Sequence, residues 1–309
     1  MRDVFVKRLC ELAEHNDRIM LVTGDLGFGV LDEFRARFPS QFLNAGVAEQ
    51  NMTGLATGLA LEGRIVFTYS IGNFPTFRCL EQIRNDACYH NANVKIVSIG
   101  GGFSYGALGI SHHATEDLAV MRSLPQITVL SPCDHWEAAE VAGAMAETPG
   151  TCFVRLDKSA GRPTVQPDER FQMGKARVIR KGSDMTIVVT GGILDEVQEA
   201  SDRLSQDGID VRILSMHTIK PFDSVAVISA ARETGGIITI EEHTIHGGLG
   251  GCVAETLMDA GISPRTFRRM GLRAGFSSIV GSQAYLRKRY GLDADAIEHA
   301  VRMDLKKVT

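Results

Sequence analysis

The chain has 309 residues, a length that suits two domains of roughly 150 residues each, and its 44% hydrophobic and 23% charged content is that of an ordinary globular protein. A formal net charge of −4 gives no general electrostatic attraction for nucleic acid. No run reaches the ~18 apolar residues that a membrane span needs, so small molecules or proteins are the expected partners, with no nucleic acid, no membrane and a cytoplasmic location.

The opening M-R-D-V-F-V-K-R-L-C-E-L mixes charged and apolar residues at helical spacing, without the continuous apolar core of an export signal. It predicts a helix over 5–14 in which Phe5, Leu9 and Leu12 share the face that packs on a sheet. Apolar, β-branched runs then predict strands over 19–23, 65–69, 94–99, 127–130 and 152–156, interleaved with helices over 49–61, 77–89 and 135–147. Such alternation is the signature of a parallel sheet covered on both faces.

The pattern fails over 159–174, S-A-G-R-P-T-V-Q-P-D-E-R-F-Q-M-G, where two prolines and few apolar residues read as a linker. A second series follows, with strands over 185–190, 211–215 and 236–240 and helices over 195–206, 252–259, 282–290 and 293–301. The expected fold class is α/β: two doubly wound domains with mainly parallel sheets, 1–158 and 175–309. The six cysteines show no C-x-x-C pair and read as reduced core residues, and the single tryptophan, Trp136, is expected in the core.

Three stretches carry chemistry. In N-A-G-V-A-E-Q-N-M-T-G-L-A-T-G-L-A, residues 44–60, Glu49 opens a helix of small and apolar residues. A carboxylate there either complements the helix dipole or faces a cleft. In R-I-V-F-T-Y-S-I-G-N-F-P-T-F-R, residues 64–78, a strand runs into a turn and a helix, which sets Ile71, Phe74 and Phe77 near a strand's carboxyl end, where ligands gather in open α/β sheets. In G-G-G-F-S-Y-G-A-L-G-I-S-H-H-A-T-E-D, residues 100–117, a glycine-rich loop ends in His112 and His113, as a site rim or as a solvated turn. Neither Gly100–Gly102 nor Gly247–Gly251 has a phosphate-loop form.

The run G-V-A-E-Q-N-M, its distance from T-G-D-L at 23–26, E-Q-I-R-N at 81–85, M-R-S-L-P at 121–125, E-E-H-T-I-H-G-G-L-G-G at 241–251 and Y-G-L-D-A-D-A-I at 290–297 resemble the C-terminal half of transketolases, in order along the whole chain. The form it most resembles is the split transketolase, whose halves are separate chains. The resemblance implies thiamine diphosphate as cofactor, with Glu49 hydrogen-bonding N1′ of its aminopyrimidine and promoting removal of the C2 proton. It also implies Phe74 as the stacking aromatic, with Phe77, Ile71 and Arg78 beside it, and His112 facing the reacting carbonyl. Ile71 stands where another aromatic is common, and His113 where many relatives carry glutamine. On the substrate side the resemblance implies Arg2, His112 and His113.

The G-D-G motif that holds Mg2+ and diphosphate in this family is absent. The resemblance therefore implies no metal ligand in this chain and a separate diphosphate-binding partner subunit that carries the Mg2+ ligands, in an α2β2 assembly. Leu108 replaces an expected aspartate, and Gly29, Gly100 and Ser131 fall where phosphate contacts are expected, leaving Arg2 as the cation. A two-carbon ketol transfer to a sugar or sugar-derived carbonyl acceptor, less charged than a simple aldose phosphate, is the expected reaction. The β subunit of a 2-oxoacid dehydrogenase, a 1-deoxyxylulose-phosphate-synthase-like carboligase and a non-catalytic docking subunit are the alternatives.

Overall fold

The computed structural model describes residues 1–158, 164–166, 168–273 and 275–307. Its first half runs α1 (Arg2–His15), β1 (Ile19–Thr23), α2 (Asp32–Arg37), β2 (Phe42–Asn44), α3 (Glu49–Leu61), β3 (Ile65–Ile71), the single turn α4 (Leu80–Gln82), β4 (Val94–Ile99), α5 (Asp117–Ser123), β5 (Ile127–Leu130), α6 (His135–Glu147) and β6 (Thr151–Leu156). The second half adds β7 (Arg177–Arg180), β8 (Met185–Val189), α7 (Leu194–Gln206), β9 (Val211–Ser215), β10 (Thr218–Lys220), α8 (Ser224–Glu233), β11 (Ile237–Thr244), α9 (Leu249–Asp259), β12 (Phe267–Leu272), α10 (Gln283–Arg289) and α11 (Ala294–Leu305).

Seven strands form the first sheet in the order β10, β5, β6, β4, β3, β1, β2, all parallel except β10. Five form the second in the order β12, β11, β8, β9, β7, parallel except β7. Every residue of β4, β6 and β8 is buried, which is why these strands read as continuous apolar runs. On one face of the first sheet Phe5 and Leu9 of α1 meet Val141 and Met145 of α6 over Leu21, Phe67 and Val154. Leu12 is only partly buried there. On the other face Met52 and Ala56 of α3 join a core that continues into Val188, Leu214 and Val253 of the second half.

Several features depart from expectation. The stretch predicted as one helix over 77–89 is broken into a 3-10 turn (Phe77–Cys79), α4 and a π-helical segment (Ile83–Cys88). β10 belongs to the second half of the chain yet completes the first sheet, pairing Thr218 with Leu130. The linker expected over 159–174 lies partly outside the described residues. Trp136 is half-buried, not enclosed: the Arg177 guanidinium lies 4.4 Å from its ring and Phe171 meets it edge-on at 6.2 Å. The Gly247–Gly251 run is structural. Glu241 accepts from Leu249 N at 2.7 Å and Gly250 N at 2.8 Å, and a Cβ on Gly248 would strike that carboxylate. All six cysteines are buried and free. Among the described residues no helix is long and apolar enough to cross a membrane.

Candidate active site

The loops that follow β1, β3 and β4 leave the carboxyl edge of the first sheet, where an open parallel sheet gathers ligands. Glu49 is the first residue of α3 and only 3% exposed. Arg78 Nη1 donates to its Oε2 at 2.7 Å, whereas Oε1 accepts no hydrogen bond from the described residues. The helix N-terminus favours the carboxylate. A nearly enclosed carboxylate with one oxygen unused has hydrogen-bonding capacity left for a ligand.

The turn after β3 brings the second and third stretches together. Gly72 has φ +44°, a left-handed conformation that favours glycine, and it lies beside the His112 carbonyl oxygen, 3.5 Å from where its Cβ would be. Asn73 Nδ2 then donates to the carbonyls of Ser111 at 3.3 Å and His113 at 3.0 Å. As a result Phe74 meets the His112 ring edge-on at 5.2 Å, while the Arg78 guanidinium lies 4.6 Å from the Phe74 centroid. Glu49, Arg78, Phe74 and His112 thus form one continuous group. Ile71 is half-buried at the end of β3. Phe77 is 37% exposed and makes no ring contact among the described residues.

His112 Nδ1 is 3.0 Å from Ser111 Oγ. Burial, and then the neighbouring His113, pull its pKa below the ordinary imidazole value, so the ring is neutral near pH 7. When the serine hydroxyl donates to Nδ1 the proton rests on Nε2, which can then donate to a substrate oxygen; when Nδ1–H donates to the serine oxygen, Nε2 accepts instead. His113 is fully buried behind the loop. Its Nδ1 lies 2.8 Å from Ser277 Oγ and its Nε2 3.1 Å from the Gly106 carbonyl, so both ring nitrogens are engaged within the protein. That geometry engages, within the protein, both ring nitrogens of the residue expected on the substrate side.

Arg2 pairs with Asp3 at 2.6 Å, and its charge acts on Tyr69 and Tyr105. Sequence reasoning missed a second cation. Lys158 Nζ sits 3.7 Å from the centroid of Tyr105, a ring that itself lies 6.0 Å from His112. Partial burial, and then Arg2, lower the Lys158 pKa. The signal was its position two residues beyond β6, at the ligand-gathering edge, but its place beside the expected linker disguised it. Gly100 is glycine because the Tyr105 ring lies where its Cβ would be. Ser131 is buried, with a hydroxyl that has no hydrogen-bond partner, and Leu108 is 57% exposed. Among the described residues no group of three or more His, Cys, Asp or Glu side chains could hold a metal ion. A groove of about 890 Å3 lies elsewhere, along β12 and α11, and contains none of these residues.

Residues 1–164 match the family model for the transketolase pyrimidine binding domain, and residues 174–297 match that for the transketolase C-terminal domain. One of the subunits of the apulose-4-phosphate transketolase of Phocaeicola vulgatus is 37% identical over 298 residues, spanning 96% of this chain and 94% of its own. The 6-deoxy-6-sulfo-D-fructose transketolase subunit SqwH of Clostridium sp. is 36% identical over 304 residues, spanning 97% of this chain and 92% of its own. A solved structure described as a split-gene transketolase, inactive β4 tetramer, superposes with a TM-score of 0.88 at 35% identity, covering 100% of this chain and 98% of that one.

Proposed function

The chain belongs to the transketolase family, and from that premise we propose that it is the pyrimidine-half subunit of a split transketolase, joining a separate diphosphate-binding subunit in an α2β2 enzyme. The family implies dependence on thiamine diphosphate. The observation that carries the reading is Glu49: a nearly enclosed carboxylate with Oε2 held by Arg78 and Oε1 open, beside Phe74 and His112.

That donor set fits an aminopyrimidine. Glu49 would hold its ring nitrogen and Phe74 would lie against its face, with Ile71 closing the wall. When bound, the cofactor would supply carbon-acid chemistry for a ketose carbonyl. Glu49 shares a proton at Oε1, and Arg78 fixes the direction of that carboxyl group. His112 Nε2 donates to the substrate's carbonyl or hydroxyl oxygen. Asn73 keeps the His112 loop against Phe74 by holding three of its carbonyls. The partner subunit supplies the Mg2+ ligands and the diphosphate cradle. The domain division at 159–174 belongs to this reading.

Arg2 and Lys158 around Tyr105 bind the charged end of the sugar. The two relatives are named for a phosphate-bearing and a sulfo-bearing sugar, which supports an anionic sugar end over the less charged acceptor expected from the sequence. The test is to mix the chain with its diphosphate-binding partner and follow ketol transfer from a phosphate- or sulfonate-ended ketose to an aldehyde. Transfer by the mixture and by neither chain alone is expected; decarboxylation of 2-oxo acids without ketol transfer would overturn the reading.

A further inference from the structure

The loop that carries Tyr105 and His112 is fastened from the far side of the molecule. It leaves β4 as Gly100–Gly101–Gly102–Phe103, and two of these glycines run directly over a buried ion network. A Cβ on Gly101 would strike Arg155 Nε, and one on Gly102, at φ +57°, would strike Glu242 Oε1. Glu242 stands on β11 of the second sheet and is 2% exposed. Its Oε1 accepts from the backbone N–H of Phe103 and from Gln283 Nε2 at 2.9 Å, and its Oε2 accepts from Arg287 Nε at 2.5 Å. Its own carbonyl accepts from Arg155 Nη2 at 2.8 Å, and Arg155 pairs with Asp117 at 3.2 Å.

The fastening continues past Phe103. That ring is fully buried, stacked on Tyr290 at 5.3 Å and met edge-on by His113 at 5.3 Å. Gly281 N donates to the Gly106 carbonyl at 3.2 Å, and Ser277 holds His113. Of these anchors Glu242, Tyr290, Gly281 and Ser277 come from the second half of the chain, and Arg155 and Asp117 from the first. We infer that Glu242 is a positioning residue: through the Phe103 amide it sets the register of the 100–113 loop and hence the placement of His112. A buried carboxylate is suited to this task because it satisfies an amide and a guanidinium at once, and Gly102, whose Cβ would strike it, lets the main chain reach it. A loop displaced by even about 1 Å can lower turnover by roughly 100-fold without touching the reacting groups.

The consequence for turnover rests on the transketolase reading; the anchoring itself does not. Glu242→Gln keeps the volume but turns one acceptor into a donor, so whichever way the amide faces, either Phe103 N–H or Arg287 loses its partner. Gln283→Met removes a neighbour of the same carboxylate and leaves the Phe103 anchor in place. Hydrogen exchange on the intact chain should show amides 103–112 exchanging at least about tenfold faster in Glu242→Gln, with amides of α3 unchanged, and near-native protection in Gln283→Met. In the reconstituted enzyme, kcat should fall at least about tenfold in Glu242→Gln while KM and C2-proton exchange of the cofactor stay within about twofold. Unchanged loop protection in Glu242→Gln, or equal loss of protection in α3, would overturn the inference. A wild-type complex that performs no ketol transfer would overturn the transketolase reading, and the exchange comparison alone would then decide the anchoring.

Discussion

Replacing Glu49 by glutamine separates stability from chemistry. The amide fills the same space and can still accept from Arg78, but it carries no charge and cannot share a proton. Arg78 is 46% exposed, and an ion pair with so wet a partner contributes about 1 kcal/mol or less. The N-terminal helix position adds a few tenths. Unfolding free energy should therefore drop by about 1 kcal/mol, a small part of the stability of a chain this size. Loss of a positioned general acid–base group instead lowers a rate by about 100- to 10,000-fold, equivalent to about 3–5 kcal/mol in the barrier. Urea unfolding followed by Trp136 fluorescence gives the first quantity, and C2 proton–deuterium exchange of the cofactor in the reconstituted complex, read by quenched NMR, gives the second. An unchanged exchange rate would remove Glu49 from the mechanism. A stability loss of several kcal/mol would show that the carboxylate is structural.

Lys158→Ala should raise KM for a phosphate- or sulfonate-ended sugar by about 10- to 100-fold, the value of one charge-assisted hydrogen bond, and leave a neutral-ended ketose unaffected; equal effects on both would contradict the assignment. Arg177 pairs with Glu137 at 2.6 Å, Asp134 at 3.2 Å and Glu169 at 2.6 Å. Arg177→Met strands two of these carboxylates in the interior, so urea unfolding should show a loss of about 3–5 kcal/mol; a loss below about 1 kcal/mol would refute that accounting. The lowered His112 pKa means that the unfolded chain binds more protons just below pH 6.5, so this group withdraws stability as pH falls through 6.5. NMR titration of the ring should give a midpoint under 6.5; one above it would contradict the burial argument.

The central strands were legible because full burial on both faces demands uninterrupted apolar, β-branched runs, as in V-K-I-V-S-I of β4. The edges were not. β7, R-V-I-R, breaks its apolar run with Arg177, which is buried against carboxylates, β12, F-R-R-M-G-L, is only partly buried before Leu272, and β2 and β10 are three residues each. No local signal says that Thr218–Lys220 will cross back to pair with β5, since that pairing depends on how the two halves dock. Phe77–Tyr89 has the spacing of one helix, but packing converts its centre to a π-turn around Ile83. Glu49, Phe74 and His112 stood out in the sequence through the motifs around them. Their assembly was not, because it depends on Asn73 gripping carbonyls about forty residues away and on Glu242 gripping Phe103 from the other sheet. Lys158 was hidden for the same reason: Tyr105, the ring it covers, is distant in sequence.

The central claim is that this chain holds one half of a cofactor site and a partner holds the other. A buried diphosphate needs metal and basic groups to offset its lost hydration, whereas the groups assembled here suit an aminopyrimidine. Calorimetric titration of thiamine diphosphate with Mg2+ into this chain, into the diphosphate-binding chain and into their equimolar mixture tests the claim most directly. Saturable binding by the mixture should be at least about 100-fold tighter than by this chain alone, a gap of about 2.7 kcal/mol. Equally tight binding by the isolated chain would contradict the claim.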